Sequence, residues 1–90
     1  MRRELRETVE VSGLGKLNYY LLADNRAGEL AIGSVGYGVE AELIGSEEEP
    51  ERAVLPELTS SVSDAEAFLR LIARNTVTPV TLRDVAADCM

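Results

Sequence analysis

From Leu5 to Val11 hydrophobic and polar residues alternate, with Leu5, Val9 and Val11 on one side and Glu4, Arg6, Thr8 and Glu10 on the other, the period-two signature of a half-buried strand. Ser12-Gly13-Leu14-Gly15 then supplies two glycines able to take positive φ in a tight turn, so the β-rich run 16–22 is expected to return antiparallel to the first. A turn-rich stretch, 23–28, leads into a third segment, 30–44, whose apolar positions change phase: Leu30 and Ile32 are even, Val35, Tyr37, Val39, Ala41 and Leu43 odd. One extra residue at 33–36, permitted by Gly33 and Gly36, would return both sets to the same face. Glu47, Glu48 and Glu49 mark a solvated loop. Residues 52–58 read as a short fourth strand, which Pro56, lacking an N–H for the ladder, confines to an edge or ends irregularly.

After Thr59 the period becomes helical. Ser63 with Glu66 three residues on forms a capping box, and Ala65, Phe68, Leu69, Ile72 and Thr76 make one apolar stripe, which predicts a helix over 63–75. Thr76-Val77-Thr78-Pro79 breaks it, because a residue before proline avoids the helical region while proline suits a first helical position. A second helix from Pro79 then places Leu82, Val85, Ala86 and Cys89 on one side and leaves Arg83, Asp84 and Asp88 toward water. Strands followed by helices define an α+β fold: a four-stranded antiparallel meander followed by two C-terminal helices packed on one face, with 1–90 forming a single domain.

Composition narrows the setting. Hydrophobic residues make up 46% of the 90 and charged residues 28%, a balance that folds. A net charge of −7 repels phosphate backbones, so no nucleic-acid partner is expected, and Glu4 and Glu7 interrupt the basic residues Arg2, Arg3 and Arg6. Neither the apolar core of a signal peptide nor an apolar run of the ~20 residues needed to span a bilayer is present, so no membrane partner is expected. The lone cysteine, Cys89, suits a reducing compartment, and the expected location is the cytoplasm.

Candidate chemistry is sparse. The chain has no histidine, which excludes Ser-His-Asp and Cys-His arrangements. Cys89 falls on the apolar stripe of its helix with no base readable nearby, as a packing residue does. The glycines of 33–38 are spaced in the reverse of the dinucleotide fingerprint and are followed by strand-like alternation, so they serve backbone geometry. Glu47, Glu48 and Glu49 lack the alternation of a calcium loop. Glu40 and Glu42 share one face of the third strand, but nothing in the sequence marks a pocket that would turn them into an acid and a base. No catalytic residue, metal ligand or cofactor is therefore assigned.

The informative residues serve turns, caps and packing, which points to a non-enzymatic small interaction or regulatory protein. The alternative is a small-molecule or metal-binding module using the open sheet face or the glutamate loop. If the odd residues of the first two strands face the helices, the opposite face shows Glu4, Arg6, Thr8 and Glu10 beside Asn18, Tyr20 and Leu22. Tyr20 and Leu22, with no covering element, and Glu40 and Glu42 are the candidate contact residues for an unidentified protein partner or a second copy. The two glutamates favour a basic partner.

Tyr19-Tyr20, the run from Tyr37 to Glu42 (YGVEAE) and the run from Ala67 to Val85 (AFLRLIARNTVTPVTLRDV) together resemble domain of unknown function 6514, a family of small bacterial proteins. The likeness covers most of the chain from Tyr19 onward. It implies a stand-alone bacterial protein with no assigned activity and transfers no catalytic residue. The family pattern often has a histidine where Thr81 stands; a capping role would survive that exchange, with Thr81 and Asp84 forming a second capping box.

Overall fold

The computed structural model describes residues 2–25, 35–45 and 49–89. Strands β1 (Arg2–Val11), β2 (Gly15–Asn25), β3 (Val35–Ile44) and β4 (Glu51–Thr59) pair in the order β1-β2-β3-β4, each antiparallel to the next. Helices α1 (Val62–Arg74) and α2 (Pro79–Cys89) follow. This is the α+β meander with two C-terminal helices that the pattern predicts. The odd positions of the central strands, Leu17, Tyr19, Leu21, Val39 and Ala41, are buried in one cluster with Phe68, Leu69 and Ile72 of α1 and Leu82 and Ala86 of α2. Both helices therefore cover the same face of the sheet.

The first hairpin closes as expected: Gly13 and Gly15 both have positive φ, and the Leu14 N–H donates to the Val11 carbonyl at 3.1 Å. Strand β1 departs from simple alternation. Its register against β2 shifts between Leu5 and Glu7, so that Leu5 lies opposite Tyr20 and Thr8 opposite Asn18. The bulge puts Leu5 on the face away from the helices, where it is 52% exposed, while Val9 and Val11 pack against the core. Leu5 thus does not share a face with Val9 and Val11. Arg6 moves to the helix side, where its guanidinium donates to Glu66 of α1 at 2.7 Å and pairs with Glu4 at 2.8 Å. No glycine marks this bulge; the residue that benefits from it is sixty positions away in sequence.

Pairing between β2 and β3 runs without a shift from Asn25 opposite Val35 to Lys16 opposite Ile44. Leu30, Ile32, Gly33 and Ser34, where the phase change begins, lie outside the described residues. The irregularity that the described residues do contain lies between β3 and β4, where Tyr37 pairs with Thr59 but Val39 with Leu55. Extra residues of β4 around Pro56 bulge over Gly38, and any side chain at Gly38 would collide with the Leu55 carbonyl and Pro56. Pro56 is accommodated because β4 is an edge strand. The other edge, β1, is loaded with Arg2, Arg3, Glu4, Arg6 and Glu7, so both edges resist pairing with a further strand.

The cap of α1 is Ser61, not Ser63: the Asp64 N–H donates to Ser61 Oγ at 3.2 Å, and the Ser61 N–H is itself held by Thr59 Oγ1 at 3.0 Å. Both serines have an acid three residues on, and the contact from Thr59 favours the earlier one. Glu66 is then free for Arg6. The apolar stripe of α1 buries Ala65, Phe68, Leu69, Ile72 and Ala73, whereas Thr76 is exposed beyond the helix at φ 48°, a left-handed position. There the Val77 N–H donates to the Ile72 carbonyl at 2.9 Å and the Thr76 N–H to the Ala73 carbonyl at 3.2 Å, closing a Schellman motif that turns Val77 inward. In α2, Leu82 and Ala86 are buried and Val85 packs beside them, while Arg83, Asp84 and Asp88 face solvent. Thr81 does not cap this helix. It lies inside the first turn, with its N–H and hydroxyl both directed at the Thr78 carbonyl.

Tyr19 ties the sheet to the linker between the helices. Its ring is fully buried, and its hydroxyl donates to the Val77 carbonyl at 2.8 Å. Burial pushes the phenol up to about 12. Tyr19→Phe keeps the ring but leaves that carbonyl without its partner, an expected loss of about 1–3 kcal/mol in a denaturant melt at neutral pH. A raised folded-state pKa contributes stability below pH ~10 that is lost as pH rises towards ~12. The gap between wild type and Tyr19→Phe is thus expected to narrow over that window, by about 2 kcal/mol.

Candidate functional site

Even positions of β2 and β3 carry polar side chains onto the sheet face opposite the helices. The register sets Tyr20 beside Glu40 and Asn18 beside Glu42, with Thr8 across from Asn18 on β1 and Arg52 across from Glu42 on β4. All four strands therefore contribute to one network. Arg3 donates to both oxygens of Glu40, from Nε at 3.0 Å and Nη2 at 2.8 Å, the two-pronged geometry that makes arginine–carboxylate pairs strong. Its guanidinium carbon lies 3.7 Å from the centre of the Tyr20 ring, a cation–π contact. Tyr20 in turn donates its hydroxyl to Glu42 at 3.0 Å, and Asn18 Nδ2 donates to the same oxygen at 3.4 Å while accepting from Thr8 Oγ1 at 2.9 Å. Arg52 bridges the two carboxylates, with Nε 3.4 Å from Glu40 and Nη2 3.5 Å from Glu42.

Glu40 and Glu42 are only 4% and 7% exposed. A buried carboxylate is tolerated when cations and hydrogen-bond donors replace its water, and here two arginines, a tyrosine and an asparagine do so. Among the described residues, no buried side-chain nitrogen or oxygen lacks a hydrogen-bond partner. The hydrogen bond to Glu40 raises the pKa of Arg3. Burial, followed by the bond to Glu42, raises that of Tyr20.

Three of the four residues expected to form a contact surface, Tyr20, Glu40 and Glu42, are thus brought together, and the fourth, Leu22, is on the same face opposite Arg3. Their accessibility differs from the expectation. Leu22 is 1% exposed and Tyr20 only partly exposed, and both glutamates lie beneath arginines. Period-two alternation gives the direction of a side chain but not its cover. The surface that meets solvent is formed by Arg3 and Arg52, 41% and 55% exposed, with Leu5, Thr8, Glu10 and Lys16. It is mixed in charge where sequence alone gives an acidic face. Arg3 and Arg52, neither of them among the expected contact residues, are what the sequence reading misses. Simple alternation would put Arg3 with Leu5, Val9 and Val11 on the helix side, and only the shift in register between Leu5 and Glu7 brings it over Glu40.

At the hairpin end, Glu10, Val11, Ser12, Lys16 and Ile44 line a shallow, open depression. Of the glutamate loop, Glu47 and Glu48 lie outside the described residues and Glu49 is exposed. Among the described residues, no group of three or more potential ligands could hold a metal ion, and no helix is long and apolar enough to cross a membrane.

A meander backed on one side by two helices, with a closed ion network on the other, defines a small two-layer α+β protein. The family model of DUF6514, a family of unknown function, matches residues 3–90, and the chain belongs to that family. No curated protein and no solved structure matches it.

Proposed function

We propose that this chain is a non-enzymatic, cytoplasmic bacterial protein that acts by binding another protein chain through the open face of its sheet. The observation that carries this reading is the network of Arg3, Tyr20, Glu40, Glu42 and Arg52, which holds a polar surface rigid on a face no described helix covers. Its two carboxylates, the pair best placed for acid–base work, are each held by arginines, so their chemistry is spent on positioning. The exposed fringe combines Leu5 and the edge of Tyr20 with arginine, a mixture that interfaces use.

A photo-crosslinking residue in place of Leu5, in the cells that make the protein, is expected to yield a discrete adduct. The same residue in place of Val80, which is 76% exposed on α2, serves as the comparison and is expected to yield none. Absence of an adduct at Leu5, or equal adducts at both positions, would contradict the reading.

A further inference from the structure

We infer that the occupant of the open sheet face is the same face of a second copy of this chain, an inference that rests on reading this face as the contact surface. Charge favours that occupant. The described side chains of the face include three cations, Arg3, Lys16 and Arg52, and three carboxylates, Glu10, Glu40 and Glu42, a set with no net charge. The whole chain carries −7, which therefore falls entirely outside this set. Two whole chains repel one another, whereas two copies approaching by this face bring balanced sets of described charges together.

The arrangement of signs also suits self-pairing. On β1 the face runs Arg3, Leu5, Thr8, Glu10, so its exposed cation and carboxylate sit at opposite ends. In a two-fold dimer each contact occurs twice. An axis lying across the strands sets the Arg3 end of one copy over the Glu10 end of its mate, with Leu5 and Thr8 near the axis. Glu40 and Glu42 are already withdrawn from water in a single copy, so pairing adds little to the cost of desolvating them.

Sedimentation of the full chain, from micromolar to about 1 mM, tests this. The expected result is a shift from the 9.8 kDa monomer to twice that mass, with association tightening as added salt screens the repulsion between two −7 bodies. Leu5→Arg is expected to weaken the dimer by about tenfold or more, and Glu10→Lys, which sets a cation against Arg3, likewise. Val80→Arg adds the same charge as Leu5→Arg on the helix side and is expected to leave association unchanged or slightly tighter. All three positions are exposed, and a melt followed by circular dichroism confirms folding.

A single 9.8 kDa species at the highest concentration, or equal effects of Leu5→Arg and Val80→Arg, overturns the inference. A monomer that still gives a Leu5 adduct with a different protein removes the second copy and leaves the face as the binding surface. No adduct of any kind removes both.

Discussion

Ending the chain after Val77, which removes α2, is expected to abolish the cooperative melt. The helix is short, yet Pro79, Leu82 and Ala86 are buried, Leu82 completely, and α2 rests on β3 and β4. Without it those strands lose their cover and apolar core meets water. Losing one large buried side chain typically costs about 2–5 kcal/mol, against the roughly 5–15 kcal/mol that hold a domain together. Leu82→Ala alone is therefore expected to lower stability by about 2–5 kcal/mol. The truncated chain keeps Val77, and with it the carbonyl that Tyr19 bonds, so its loss reports on the helix and not on that hydrogen bond. A truncated protein with a sharp transition near the full-length temperature would make α2 an appendage.

The second large effect is expected at Arg3. Arg3→Ala removes both hydrogen bonds to Glu40 and the cation over Tyr20, while Glu40 stays buried. Breaking a fully buried pair costs about 3–5 kcal/mol; with 41% of the Arg3 side chain in solvent and Arg52 still beside Glu40, the expected loss is about 1–3 kcal/mol. Glu40→Gln in the Arg3→Ala background is expected to recover part of it, because it removes the charge left with fewer partners. The four proteins form a double-mutant cycle, and a coupling indistinguishable from zero would make the contact incidental.

The order of elements was legible in the sequence because each signal is local: alternation for strands, glycines for the hairpin, a helical stripe for α1, Pro79 for the start of α2. What was not legible depended on contacts distant along the chain. The bulge at Leu5 carries Arg6 to Glu66, and Ser61 prevails over Ser63 through Thr59. That Tyr20, Glu40 and Glu42 share one face is legible, since alternation along each strand sets which way a side chain points. The cover over the two carboxylates was not legible, because it comes from Arg3 and Arg52 on strands that no local pattern aligns with them.

Whether the open sheet face is where this chain meets another is tested residue by residue by a concentration series of amide NMR spectra. From about 20 μM to about 1 mM, resonances of Arg3, Leu5, Thr8, Tyr20, Arg52 and Val54, the last opposite Glu40 on β4, are expected to move together along one binding curve. Those of Arg70, Arg74, Val80 and Arg83, exposed on the helices, are expected to stay fixed. Movement confined to the helix residues, with the sheet face unchanged, would contradict it.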